Sequence, residues 1–338
     1  MKNFEWFMGI DVSKGKLDIT LLKSHEKVKY EVIENEIKSI ECFIKSLATI
    51  ASFDWSKCLV CMEHTGVYNA HLLVVAQKYN WNLCLESAVQ IKQSGGLQRG
   101  KNDQVDSERI AQYAYKNVSF LKLWQPTRAS LTMLQKLSGL RHRLIQAKKQ
   151  LSNTLKEDKA FLDKSVTKIV SGCTKQSIAG IEKDLEQVEQ QLKKIIAEDD
   201  TLKKMFAIIE SVPGVGMVTA IQLVVTTNEF KNINDPRKYA CYSGIAPFEH
   251  SSGRSIRGRT RTSKKANQHV KSLLHMCSLV AIQHCPELKQ YYQRKVNEGK
   301  NKMAVLNAVK NKLIHRIFAC ITQNRPYEKN FTNSFVLS

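Results

Sequence analysis

Residues 7–22 read FMGIDVSKGKLDITLL, two short apolar runs separated by a polar turn. Each run is too brief for a buried helix, and the intervening VSKGK supplies the glycine and polar residues of a turn, so the pair predicts a β-hairpin. The chain then continues in alternation. YEVIEN (residues 30–35) reads as a third strand, followed by a helix that places Ile40, Phe43, Ile44 and Leu47 on one face. KCLVCMEH (57–64) reads as a buried strand, NAHLLVVAQKY (69–79) as a helix, WNLCLES (81–87) as a strand, and DSERIAQYAY (106–115) as the opening of another helix. This order predicts an α/β domain, residues 1–126, with a mixed sheet flanked by helices.

Residues 127–200 are low in glycine and helical in pattern. Leu137, Leu140, Leu144, Ala147 and Leu151 keep a three-four spacing, and Ile178, Ile181, Leu185, Val188, Leu192 and Ile195 repeat it. That seam predicts a coiled-coil region, closed within one hairpin or between subunits. The remainder, residues 201–330, is expected to be mainly helical. It begins with MFAIIESVPGVGMVTAIQLV (205–224), where Pro213-Gly214-Val215-Gly216 separates two apolar helices. Gly214 and Gly216 allow a tight turn whose N–H groups can face a phosphate, as in a helix-hairpin-helix element on a nucleic-acid backbone. A plain turn between core helices is the alternative.

The net charge of +21 and isoelectric point near 9.6 predict a polyanionic partner. No apolar stretch approaches the roughly 20 residues of a membrane span, and the N-terminus carries no signal-peptide pattern. The expectation is a cytoplasmic protein that binds nucleic acid. Nine scattered cysteines read as reduced core residues. Cys58, Cys61 and His64 have half the spacing of a zinc site, but no second half follows, and on a strand Cys58 and Cys61 point to opposite faces.

Four acids stand where chemistry would want them. Asp11 ends the first strand, Glu63 ends CLVCME, and Asp103 and Asp106 lie three apart at a helix start. Such carboxylates in a basic protein repel one another unless a divalent cation joins them, and oxygen-only ligands suit Mg²⁺. A second concentration of function is HSSGRSIRGRTRTSKK (250–265), a loop-like run within an acid-free zone from His250 to Pro286 that holds seven Lys or Arg residues. Arg254, Arg257, Arg259, Arg261, Lys264 and Lys265 suit phosphate oxygens. Among these residues Ser251, Ser252 and Ser255 either cap turns and bind phosphate or include a nucleophile able to store a strand break as a phosphoserine ester.

The order of acids resembles the RuvC-like branch of the RNase H fold. More specifically, GIDVSKGKLDI (9–19), CMEHTGVY (61–68), KNDQVDSERIA (101–111), SVPGVGMVTA (211–220) and YSGIAPFEHSSGRSIRG (242–258) resemble, in order, the DEDD transposases of the insertion sequence 110 group. The resemblance extends from Met8 to about Phe318. It implies a recombinase with a RuvC-like domain, a coiled coil and a C-terminal transposase domain. It implies that Asp11, Glu63, Asp103 and Asp106 bind Mg²⁺ and that Ser252 is the nucleophile. The implied partners are donor and target DNA, a bridge RNA that guides the enzyme, and further copies of the chain in a dimer or tetramer. Ser243 aligns with a small packing residue, and Ala266 stands where the group has a glycine. A structure-selective junction endonuclease and a non-catalytic RNA-binding protein are the competing functions.

Overall fold

A computed structural model describes residues 3–94, 102–252, 256–263 and 266–329 of the 338-residue chain. The chain divides into two compact units, Met1–Pro126 and Thr127–Ser338.

The first unit is built on a five-stranded sheet. Strands β1 (Trp6–Val12), β2 (Lys16–Lys23) and β3 (Glu26–Glu34) form an antiparallel meander, while β4 (Cys58–Glu63) and β5 (Asn82–Glu86) add in parallel beyond β1. The strand order β3-β2-β1-β4-β5 is that of an RNase H-like domain. Helices α1 (Ile37–Leu47), α2 (Ala70–Lys78), α3 (Ala88–Ser94) and α4 (Asp103–Lys116) complete the unit. Strand periodicity sorts the apolar residues into two cores. One face carries Met8, Ile10, Ile19, Val60 and Met62 and packs on Phe43, Leu47, Leu72 and Val75 of α1 and α2. The other carries Phe7, Leu22, Cys61 and Cys84 and packs on Ile110, Ala111 and Ala114 of α4. Cys58 and Cys61 fall in different cores, as their spacing on a strand requires.

Gly9 lets α4 approach the sheet. A Cβ at this position would stand 2.2 Å from the Ser107 carbonyl oxygen and 2.3 Å from the Ala111 nitrogen. A buried hydrogen bond of 2.8 Å between Thr20 Oγ1 and Ser107 Oγ fixes the register of helix against strand. Asn102 caps α4, its Oδ1 accepting from the Val105 N–H at 2.7 Å.

The second unit begins with two long helices, α5 (Ala129–Phe161) and α6 (Lys164–Glu198), which pack along each other as a helical hairpin. Leu131, Leu134, Val188 and Leu192 at its root join the main core, whereas Ile178, Ile181 and Leu185 farther out are only half-buried. The seam is thus closed within one chain. The core is completed by α7 (Asp200–Glu210), α8 (Met217–Thr227), α9 (Pro236–Tyr242), α10 (Gln268–His284), α11 (Pro286–Asn297) and α12 (Lys302–Thr322). After α8 the chain passes through Asn228, Glu229 and Phe230, all with positive φ (49°, 57° and 61°). Left-handed backbone costs about 1–2 kcal/mol per non-glycine residue. The turn is held by Arg128, whose Nε donates to Glu229 Oε1 at 2.9 Å and whose Nη1 donates to Asp199 Oδ2 at 2.8 Å.

The run from His250 onward is not a simple loop. Residues Pro247–Ser252 (β6) and Ile256–Thr262 (β7) form a two-stranded antiparallel hairpin. Ile256, Gly258, Thr260 and Thr262 alternate with three arginines, a period-two pattern that favours a ribbon despite its charge.

Candidate active site

The same alternation that sorts the core gathers the acids. Gly9 and Asp11 share a sheet face with Cys61 and Glu63, the face covered by α4. Asp11 pairs with Asp18 across the β1–β2 hairpin, and Glu63 pairs with Glu86 between β4 and β5. The β1–β4 ladder ends at Ile10 and Met62, one step before Asp11 and Glu63. A row of carboxylates, Asp18, Asp11, Glu63 and Glu86, therefore crosses four strands at one end of the sheet. The first turn of α4 brings Asp103 and Asp106 to the same place. Their position at a helix N-terminus is electrostatically favourable, since the exposed N–H groups there carry partial positive charge.

The convergence is visible in the chemistry of Asp11. Its carboxyl is pushed up to about 6, first by burial and then by the charges of Asp106, Asp103, Asp18 and Glu63. Two cations partly offset this charge. Lys16 Nζ donates to Asp103 Oδ2 at 2.6 Å and stands 3.2 Å from Asp18 Oδ2, and Arg109 Nη1 donates to Asp106 Oδ1 at 2.9 Å. Both contacts raise the Lys16 pKa, that to Asp103 first. With Asp103 and Asp106 so engaged, no three His, Cys, Asp or Glu among the described residues are grouped to hold a metal as they stand. The donor set nevertheless suits a hard divalent cation, being oxygen-only, surplus in negative charge and anchored on rigid strand ends.

Asp18 and Glu86 were not among the acids singled out from the sequence. Asp18 is only 2% exposed and accepts a 2.6 Å hydrogen bond from the Tyr30 hydroxyl. Burial and this bond push the Tyr30 hydroxyl up to about 12. Counting alternate residues back across the predicted hairpin pairs Asp18 with Asp11, which is the signal that would have found it. Burial also raises the Glu86 carboxyl.

In the second unit, Ser252 is the last residue of β6 and pairs with Ile256, so it stands where the ribbon turns. Arg257 pairs with Ser251, and Arg257, Arg259 and Arg261 occupy every second position of β7. Arg254, Lys264 and Lys265 lie outside the described residues. Ser243 is fully buried at the end of α9 and donates to the Ala240 carbonyl at 3.3 Å, so it is a packing residue. Beside it Gly244, at φ +65°, leaves room for Ala266, whose Cβ lies 2.6 Å from where a Gly244 side chain would begin. The Pro-Gly-Val-Gly turn joins α7 to α8. Gly214, at φ +84°, packs against the Cys277 carbonyl of α10, and Gly216 caps α8 with open space around its Cα. Close packing thus explains Gly214, and Gly216 is the one whose surroundings leave space for a ligand.

Comparison with known proteins bears on the whole chain. A transposase profile of the DEDD type in the IS110 group matches residues 8–165, and a profile of the transposase IS116/IS110/IS902 family matches residues 206–293. The chain is 24% identical over 327 residues to a pilin gene-inverting protein of Moraxella lacunata, covering 96% of this chain and 98% of that protein. It is 26% identical over 155 residues to the transposase for insertion sequence element IS1328 of Yersinia enterocolitica, covering 43% of each. Among solved structures, T. thermophilus RuvC in complex with a Holliday junction substrate aligns at 14% identity and a TM-score of 0.28, over 35% of this chain and 99% of that one. No helix among the described residues is long and apolar enough to cross a membrane. Two profiles of one family succeed each other along the sequence, the first over the carboxylate-bearing sheet and the second over the serine-bearing ribbon: the chain belongs to the IS110 family of DEDD transposases and is an enzyme of DNA recombination.

Proposed function

We propose that this transposase cuts and rejoins DNA through a Ser252 phosphoserine, assisted by Mg²⁺ at Asp11, Glu63, Asp103 and Asp106. The observation that carries the reading is the crowding of carboxylates around Asp11, which adds to burial in pushing its own carboxyl up to about 6. A bound divalent ion would neutralise that charge and, when present, polarise a phosphodiester for attack. Lys16 and Arg109 hold Asp103 and Asp106 until then, so ion binding exchanges a flexible ammonium and a guanidinium for the metal.

At the ribbon, Ser252 Oγ attacks phosphorus as one P–O bond of the DNA strand breaks. The departing strand end leaves as a hydroxyl, taking the proton that Oγ gives up. Attack on the phosphoserine by a strand hydroxyl reverses the step and restores the free serine, so no bond energy is lost to water. The arginines of β7 would neutralise the phosphate during the exchange. Guidance by a bridge RNA, and assembly of copies into a dimer or tetramer, are part of the same reading. They are supported by the +21 net charge and by the family resemblance.

The test is a trapped covalent protein–DNA species on denaturing gels. Ser252→Ala should form none, whereas Ser243→Ala should form it normally if its fold is retained. Strand cleavage by native protein with no adduct at any time would favour a water-using junction endonuclease instead. In the same preparations, Arg257→Ala with Arg259→Ala should weaken nucleic-acid binding across sequences. The double variant should flatten the plot of log affinity against log salt by roughly 1.5–2.

A further inference from the structure

The root of the β6–β7 ribbon contains a positive charge that the folded chain leaves unanswered. Lys310, on α12, is 4% exposed and sits in no ion pair and no hydrogen bond among the described residues, so its stem is buried while Nζ keeps only a narrow contact with solvent. Buried lysines are rare unless paired, because removing an ammonium from water is costly. Its titratable neighbours supply no counter-charge. Lys271 and His275, one turn apart on α10, face it; burial first, then the Lys271 charge, lowers the Lys310 pKa, and burial and Lys310 together lower that of His275. His275 Nδ1 is itself buried with no hydrogen-bond partner among the described residues.

This cluster lies under the element that carries Ser252. Lys271 Nζ donates to Thr262 Oγ1, at the end of β7, at 3.1 Å. The Lys271 Cδ is 3.6 Å from the position a Gly244 Cβ would take, next to the segment leading into β6. From α12, one turn before Lys310, Asn307 Nδ2 donates to the Ile245 carbonyl at 2.6 Å. Both ends of the ribbon are therefore tied to α10 and α12 beside the lysines. No acid occurs in the sequence between His250 and Pro286, so α10 supplies no counter-charge. An unpaired ammonium, a second lysine and an orphaned imidazole nitrogen together suit a tetrahedral anion with several acceptor oxygens.

We propose that Lys271 and Lys310 form a binding site for one phosphodiester of the nucleic-acid strand engaged by the β6–β7 ribbon. It rests on the reading of that ribbon as the element that meets the strand. The site would anchor the backbone at the foot of the ribbon while Ser252 works at its turn.

The full-length protein carrying Lys310→Met or Lys271→Met tests this by anisotropy titration of labelled duplex DNA, and separately of single-stranded RNA, over a range of salt. Each variant should bind about tenfold more weakly at moderate salt and lower the salt slope by about 0.7–0.9, the value of one phosphate contact. Lys310→Arg should keep most of the slope. Thermal unfolding without nucleic acid provides the second readout. Lys310→Met should melt no lower than native protein, because it removes an unpaired and largely desolvated charge, and should lose the stabilisation that inorganic sulfate gives the native chain. A loss confined to DNA assigns the site to the recombining strand, and one confined to RNA assigns it to the guide. Unchanged slopes for both nucleic acids, or a lower melting temperature for Lys310→Met with sulfate stabilisation intact, would overturn the proposal. The binding assay also works in a Ser252→Ala background, so weakened binding there upholds the phosphate site even if adduct experiments dismiss the serine.

Discussion

Asp11→Asn should reduce strand cleavage by about 10³-fold while making the first unit more stable in the absence of divalent ions. The two effects have one cause. Asp11 is half-buried among Asp18, Glu63, Asp103 and Asp106, and burial first and these charges second hold its carboxyl near 6 against an ordinary 3.8. Between those two values the folded chain binds more protons than the unfolded chain, so stability falls as pH rises through the window. An asparagine cannot ionise and escapes that fall. The gain above pH 6 should be on the order of 1 kcal/mol once solvent screening of this half-buried group is allowed for. All four tryptophans, Trp6, Trp55, Trp81 and Trp124, belong to the first unit, so their fluorescence reports its melting alone. In chelator, native protein should lose melting temperature from pH 4 to 6 and Asp11→Asn should lose less. Added Mg²⁺ should then raise the native midpoint and leave the variant nearly unmoved. An asparagine variant that cleaves normally would remove Asp11 from the chemistry. Equal pH profiles would remove the carboxylate crowding.

Gly9→Ala is expected to have the larger effect on folding. Its methyl group would meet backbone atoms of Ser107 and Ala111 at 2.2 and 2.3 Å, and neither can rotate away. Helix α4 would have to lift by about 1 Å, breaking the Thr20–Ser107 bond and opening the Ala111 contact, at a cost of about 3 kcal/mol or more. Asp103 and Asp106 ride on that helix, and a displacement of this size costs roughly 10²-fold in rate even where the protein stays folded. Tryptophan fluorescence should show the lowered midpoint. Gly15→Ala is the control, since nothing lies within 4 Å of its added methyl. A native-like midpoint for Gly9→Ala would mean that α4 does not lean on β1 as described.

Much of this fold was legible because the sequence states it locally. The FMGID and LDITLL runs flank a glycine turn, and β4 and β5 are continuous apolar segments, so their identity needs no tertiary information. The positions of Asp11, Glu63, Asp103 and Asp106 at element ends follow from the same reading. Asp18 was not legible in this way, because it sits inside a strand between Leu17 and Ile19 rather than at an element end, and only the pairing across the hairpin sets it beside Asp11. The ribbon of residues 247–262 was obscured by its charge, which outweighs the alternation of Ile256, Thr260 and Thr262. Gly214 suggested a phosphate turn, whereas its packing partner, Cys277, lies 63 residues away in α10. Nothing local in the run VKNKL marks Lys310, and only the packing of α10 on α12 places it at 4% exposure.

The α5–α6 hairpin has a metrical consequence. Its helices contain 33 and 35 residues, about 50 Å each at 1.5 Å per residue. Leu131, Leu134, Val188 and Leu192 fasten one end into the core, and along the outer part each helix has mainly the other to lean on. Length is therefore decoupled from folding. Excising seven residues from each outer arm, one heptad against one heptad, would keep the seam in phase and leave the anchored end untouched. The hairpin is in that sense a ruler whose graduations are heptads. Its reach can be reset in steps of about 10 Å without renegotiating the core.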